Sequence, residues 1–270
     1  MLKQDQAGFL QVNGLRMYVE RAGQGETLLY ISGTGADLRN KPNQLDSPFA
    51  ANFDMVCFDQ RGLGQTQNPQ GPYAMSDYAD DAAALLDLVG RDPVRVIGVS
   101  FGGMVAQELA IRYPQKIRSL VLACTSSGGP GQPSYPLHEL EELAPLDRIK
   151  RNLQITDTRR TDQWITENPE KWQKLVEISL AGRRGDRDVD GAMKQLAARR
   201  YHDTFDRLKN LTMPILLAGG EYDGIAPPAN MRAIAQEIPT AELRLYQGGH
   251  LFFLQDRQAY PDIIDWLLAH

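Results

Sequence analysis

Ser100 stands at a joint in the segment RVIGVSFGGMVAQELA, residues 95–110. Val94, Val96, Ile97 and Val99 before it read as a short buried strand, and Met104 to Ala110 after it read as a helix. A fast strand-to-helix reversal packs the chain against itself and pushes the joint residue toward positive φ. Gly98, Gly102 and Gly103 supply the room. This G-x-S-x-G spacing lifts a serine hydroxyl to the end of a strand, where a nucleophile would sit.

A serine nucleophile needs a base to take its proton and a third group to orient that base. The chain has four histidines: His138, His202, His250 and His270. His138 and His202 fall in a helical stretch and His270 is the last residue of the chain. His250 lies in YQGGHLFFLQ, just after the last strand, where a Gly-Gly loop can deliver the ring to a sheet edge. The orienting acid is expected on another strand end, between serine and histidine. LLAGGEYDGIAPP supplies Asp223, with Glu221, nearer the strand, as the reserve. An Asx turn with Gly224 is the competing role for Asp223.

Acyl chemistry also needs hydrogen-bond donors for the developing oxyanion, each worth roughly 3–4 kcal/mol on removal. The Phe101 backbone N–H is one candidate donor. The second is expected from YISGTGADL, where Gly33 and Gly35 let the backbone approach and leave the Thr34 N–H to point at the site. A phosphate loop is excluded at Gly33–Gly35, because neither a Walker lysine nor a third fingerprint glycine follows.

These residues must be positioned by elements with the right rhythm. GFLQV and LRMYVERA flank Asn13-Gly14, a hairpin signal. TLLYIS, FDMVCFD, the strand before Ser100, RSLVLAC, MPILLAGG and AELRLYQ follow as buried-type strands. Helices are expected over MSDYADDAAALLDLVG, after Ser100, near Ala229–Glu237, and over YPDIIDWLLAH. Strands alternating with helices predict an α/β fold: a mostly parallel, doubly wound sheet of eight strands with an antiparallel edge hairpin. Residues 128–207 break the rhythm. They open on SSGGPGQPSYP and continue as amphipathic helices, DQWIT, PEKWQKLVEISLAG and GAMKQLAARRYHDTF, with balanced charge. The expected organisation is therefore a core of residues 1–127 and 208–270 with a helical cap, residues 128–207, over the sheet's C-terminal edge. Trp164, Trp172, Leu175 and Leu180 are candidates to line a substrate pocket from that cap or to form its own core. On this reading the cap sets substrate choice and leaves the chemical machinery alone.

The chain of 270 residues, 42% hydrophobic and 23% charged, is long enough for a sizeable core. Its net charge of −5 gives no basic footprint for nucleic acid or anionic lipid. No signal-type segment or membrane-length apolar run is seen, so a cytoplasmic location is expected. Cys57 and Cys124 lie in apolar strand-like runs as inert core thiols, and no Cys or His spacing suggests a metal site.

Taken together, the chain resembles the α/β-hydrolase superfamily over nearly its whole length. The order Ser100, Asp223, His250, each after a strand, is that family's order. FDQRGLGQT resembles the loop after the fourth strand in small capped members, with Asp59 and Arg61 expected as structural partners and a tight turn at Gly62 and Gly64. In detail the chain is similar to 3-oxoadipate enol-lactonases, cofactor-free haloperoxidases and related carboxylesterases. Ser32-Gly33 departs from the His-Gly of many relatives, which leaves backbone donors intact and the closest subfamily open. Ser at the elbow argues against the dehalogenase and epoxide-hydrolase branches, which carry Asp. The resemblance implies a serine hydrolase of a small ester or lactone, without cofactor or metal. In it Ser100 is the nucleophile, His250 the base, Asp223 the orienting acid, and Thr34 and Phe101 N–H the oxyanion donors. Its alternatives are a C–C bond hydrolase using the same triad and a small-molecule receptor with slow turnover. Oligomeric state and substrate identity stay open.

Overall fold

The computed structural model describes residues 5–89, 93–181 and 188–270. The hairpin forms as expected. β1 (Gln6–Val12) pairs antiparallel with β2 (Leu15–Ala22), and the turn residues Asn13 and Gly14 both adopt positive φ, 49° and 76°. β2 runs antiparallel to β4 (Asp54–Phe58), and every later pairing is parallel. The remaining strands are β3 (Thr27–Ile31), β5 (Val94–Val99), β6 (Ile117–Ala123), β7 (Ile215–Gly220) and β8 (Glu242–Tyr246). Their spatial order is β1-β2-β4-β3-β5-β6-β7-β8. The order reverses direction at β3/β5, which opens a crevice at the strands' C-terminal ends.

Strand alternation divides the core into two layers. Leu29, Ile31, Val96, Leu120 and Leu122 face one side and pack with α1 (Met75–Val89) and α2 (Phe101–Arg112) through Leu85, Leu86, Val105 and Leu109. Leu28, Tyr30, Ile97, Val121 and Ala123 face the other and pack with Phe49, Phe53 and α9 (Ala259–Ala269) through Ile263, Trp266 and Leu267. Both faces are covered, so these strands read as unbroken apolar runs. α7 (Pro228–Glu237) and the four-residue α8 (Phe252–Gln255) complete this part. The sequence pattern predicts no helix at α8, because three apolar residues carry no period. The last residues of the helices read to Gly90 and to Gly182 lie outside the described ones.

Between β6 and β7 the described residues form four α-helices: α3 (Pro145–Thr156), α4 (Asp162–Glu167), α5 (Pro169–Ala181) and α6 (Val189–Arg200). Among the described residues its one strand-like pairing is a single bridge, Gly128 to Asp203. The helix expected to run on through Tyr201–Phe205 ends at Arg200. Its apolar clusters are small. Ile149, Leu153 and Val176 pack with Trp172 and Leu175, and Leu140, Ile155 and Ile225 form a second group. Trp172 and Leu175 thus belong to the insertion's own interior, Trp164 is half-buried, and Leu180 is exposed.

The expected Asp59–Arg61 partnership does not form. Their side chains leave the turn in different directions. Arg61 makes a forked pair with buried Asp81 of α1, while Asp59 accepts the backbone N–H groups of Leu38 and Gln65. Gly64, at φ 53°, must be glycine: a Cβ there would sit 2.2 Å from the Asp59 carboxylate.

Candidate active site

The joint between β5 and α2 is as tight as its glycines imply. Ser100 holds φ 57°, ψ −117°, a conformation that costs a non-glycine residue on the order of 1–3 kcal/mol and persists only where surroundings enforce it. The enforcement is steric. A Cβ on Gly98 would lie 2.4 Å from the Gly102 carbonyl oxygen, and one on Gly102 would lie 2.0 Å from that of Ile31. The Ser100 N–H donates to the Ala123 carbonyl at 2.8 Å, and the Thr125 hydroxyl donates to the Ser100 carbonyl at 2.8 Å. The helix therefore starts at Phe101, three residues before the sequence suggested.

The loops after β7 and β8 bring the other two residues to this joint. His250 Nε2 lies 3.0 Å from Ser100 Oγ, and His250 Nδ1 lies 2.7 Å from Asp223 Oδ2. The other oxygen, Asp223 Oδ1, accepts the N–H groups of Ile225 and Ala226 at 2.7 and 2.9 Å. The carboxylate is thus buried and fully occupied, with a single geometry for the imidazole. The Asx-type bonds expected of Asp223 do form, alongside its histidine contact. Glu221, the reserve acid, is exposed to solvent. The remaining histidines are elsewhere. His138 is half-buried in a turn of the insertion, His202 is buried at the end of α6, and His270 stacks on Trp266.

The loop after β3 lies against the serine: a Cβ on Gly33 would be 3.3 Å from Ser100 Cβ. Ala36 N–H turns back to the Gly33 carbonyl and Gly35 N–H is taken by the Gln195 side chain at 2.9 Å. The Thr34 N–H lies between those two and has no backbone hydrogen bond among the described residues. The Phe101 N–H, at the first position of α2, has no intrahelical acceptor either.

Cys124, at φ 39°, packs behind the acid. Its sulfur and the ligand atoms of Asp223 and His250 lie within 4.8 Å of one another. This is the one group among the described residues spaced to share a cation. Asp223 and His250 are already engaged with each other and with Ser100. Burial, with the Asp223 charge nearby, pushes the Cys124 thiol well up, so it stays protonated and is a poor ligand. Two surface depressions, of about 510 Å³ beside Tyr135 and Lys150 and about 340 Å³ beside Tyr73 and Tyr201, lie away from the triad.

The family model described as alpha/beta hydrolase fold matches residues 26–257. The chain belongs to the α/β-hydrolase family. Within it, the chain is 30% identical to a poly(3-hydroxyalkanoate) depolymerase of Ectopseudomonas oleovorans, over 88% of this chain and 82% of the relative. It is 25% identical to a 3-oxoadipate enol-lactonase of Acinetobacter baylyi, over 88% and 86%. In fold it is similar to an enol-lactonase from Burkholderia xenovorans, with a TM-score of 0.77 at 20% identity over 97% of this chain and 100% of that one. No described helix of this family member is long and apolar enough to cross a membrane.

Several residues that hold the site escaped the sequence reading. The His250 N–H donates to the Thr156 carbonyl at 2.7 Å and the Gly224 N–H to the Ile155 carbonyl at 2.9 Å, so the last turn of α3 pins both the histidine and acid loops. Asp157 accepts from Gln255 at 2.9 Å, and Gln255 accepts the Gly249 N–H at 2.6 Å. The insertion therefore reaches the triad's supports, contrary to the expectation that it leaves them alone. α3 was not among the helices the sequence pattern singled out, although Pro145 at its start and the i, i+4 pair Ile149/Leu153 are signals that could have marked it. Nothing in the sequence marked its far end as a partner of residue 250.

Proposed function

We propose that this α/β hydrolase cleaves a small carboxylic ester or lactone through an acyl-enzyme on Ser100. The observation that carries the reading is the continuous relay from Ser100 Oγ to His250 to Asp223, built on a serine held at positive φ. His250 Nε2 takes the hydroxyl proton as Ser100 Oγ attacks the carbonyl carbon. The negative oxygen that forms is held by the N–H groups of Phe101 and Thr34. Collapse of the adduct expels the alcohol, which leaves with the proton from His250. A water molecule, deprotonated by the same imidazole, then releases the acid and restores the serine. Asp223 fixes the tautomer with Nδ1 protonated and stabilises the imidazolium formed in each half-reaction. Residues 128–207 act as a cap over the crevice and shape the pocket.

The test is a panel of small esters and lactones with Ser100→Ala as control, alongside fluorophosphonate labelling. Labelling and turnover are expected in the parent and in a His138→Ala variant, and neither in Ser100→Ala. Equal labelling of Ser100→Ala would place the reactive group elsewhere. His250→Ala, which removes the base, is expected to lose turnover on the same panel.

A further inference from the structure

Arg199 sits in the last turn of α6, 7% exposed, and has no carboxylate partner among the described residues. One terminal nitrogen donates to the Tyr135 carbonyl at 2.7 Å and the other to the Ser134 hydroxyl at 2.7 Å, both neutral acceptors, while Nε has none. Buried charges are as a rule paired, because desolvating an unpaired one is costly. Burial alone pulls this guanidinium from its usual 12.5 down to about 10, with no neighbouring acid to hold it up. The other buried arginines among the described residues follow the rule. Arg61 forks onto Asp81, and Arg95 pairs with Glu26.

The position of Arg199 explains what it waits for. Gln195, one turn earlier on the same face of α6, bonds Gly35 N–H in the loop beside Ser100. The turn between them advances about 6 Å along the axis. On its far side Arg199 holds Tyr135, whose N–H bonds the Ile225 carbonyl in the loop of Asp223. This stretch of α6 thus bridges from the loop beside Ser100 to the loop of Asp223. Gln195 Nε2 is likewise buried without a partner, as are the hydroxyls of Ser32 and Thr34, which flank Gly33 beside Ser100. Asp223, the carboxylate of the neighbouring loop, is already saturated.

Resting on the ester-hydrolase reading, we propose that Arg199, with the Gln195 amide, receives a second carboxylate carried by the substrate. The class is a small ester or lactone that is also an acid anion. The guanidinium fork suits a carboxylate bidentately, and a charge-assisted pair formed in a buried site discriminates strongly against the neutral analogue.

Two pairs of probes locate the charge. 4-Nitrophenyl hydrogen glutarate against 4-nitrophenyl pentanoate places it on the acyl arm, and 3-acetoxybutyrate against its methyl ester places it on the alcohol arm. In one pair the anion should be preferred in kcat/KM. Arg199→Met should cut that preference by roughly 10–100-fold, mostly through KM, and Arg199→Lys should restore part of it. A parent that prefers the neutral member of both pairs overturns the proposal even if Arg199→Met does not fold. So does a preference that Arg199→Met leaves intact, since Arg199 would then only tie down residues 134–135. Binding separates this from the reaction itself. Glutarate should bind the Ser100→Ala protein, and weaken at least tenfold when Arg199→Met is added, while pentanamide should bind poorly to both. Absence of fluorophosphonate labelling and of all ester turnover would reject the hydrolase reading alone. Glutarate binding that ignores Arg199 would reject the anion site alone.

Discussion

The sheet and its insertion solve the burial problem differently. Across the sheet, burial is apolar and thick: two clusters span the domain, and the few unpartnered hydroxyls in its strands, Thr27, Ser119 and Tyr246, are scattered through it. In the insertion, burial is thin and partly polar. Its clusters hold three buried residues each, one of them Ile225 from the loop after β7, while Gln195, Arg199 and His202 are buried with polar atoms unspent. On the proposed function, the sheet edge supplies the reacting groups at fixed points, which takes rigid packing. The insertion supplies adaptable polar contacts above them, at a cost in local stability. If the proposed function holds, chemistry and selectivity draw on different physical resources within one chain.

If the sheet side carries the chemistry, the largest effects belong to its loops. Asp223→Asn should lower kcat by about 10³–10⁴-fold with Tm shifted by only a few degrees, because the wrong tautomer is favoured at unchanged geometry. Glu221→Gln, at an exposed side chain, should change kcat less than twofold. Steady-state kinetics on one small ester separates them, and the reverse ranking would move the orienting acid.

A middle-sized effect tests where the division fails. Gln255→Leu breaks the link from Asp157 to the Gly249 N–H, next to His250. Its kcat on a small acetyl ester should fall about tenfold with KM within twofold, as expected when a base is misplaced by a fraction of an ångström. A fall in KM and Tm without a change in kcat would make the link a structural tie only.

The smallest effect is on stability against pH. Burial drives the His202 imidazole from 6.5 down to about 3, helped by the positive charges of Arg207 and Arg199 and opposed by the Ser126 backbone. Below pH 6.5 the unfolded chain takes a proton that the folded one refuses, so stability is lost as pH falls from 6.5 toward 3. Asp59 works in the opposite sense. Burial raises it from 3.8 to about 6, so its contribution is present at low pH and lost as pH rises through 6. Thermal melts over pH 4–7 should show the acid-side loss flattened in His202→Gln and steepened in Asp59→Asn. Parallel curves for all three proteins would remove His202 as the cause.

Much of this division was legible in the residues. The eight strands, the joint at Ser100, Asp223 over Glu221, and His250 among four histidines follow from local pattern, because each is set by neighbours within a few positions. What stayed hidden depends on contacts across long separations. Gln195 meets Gly35, and Thr156 meets His250, through partners about a hundred or more residues apart that no periodicity marks. Arg61 shows the same limit in miniature. Asp59 is two residues away, yet the turn at Gly62 sends the guanidinium to Asp81 of α1. Trp172 and Leu175 were legible as apolar and went to the insertion's interior, while the polar face of α6 went to the site.

The bond from His250 N–H to the Thr156 carbonyl has a thermal consequence. α3 is held by a few apolar contacts, whereas the sheet is held by two full layers, so opening of the insertion costs less free energy than global unfolding. Each such opening releases the histidine loop from its anchor. On warming, the protein would therefore lose its working geometry reversibly, as a silent fraction of intact-sheet molecules, several degrees before the sheet itself comes apart. Its upper operating temperature is then a property of one helix end rather than of the fold.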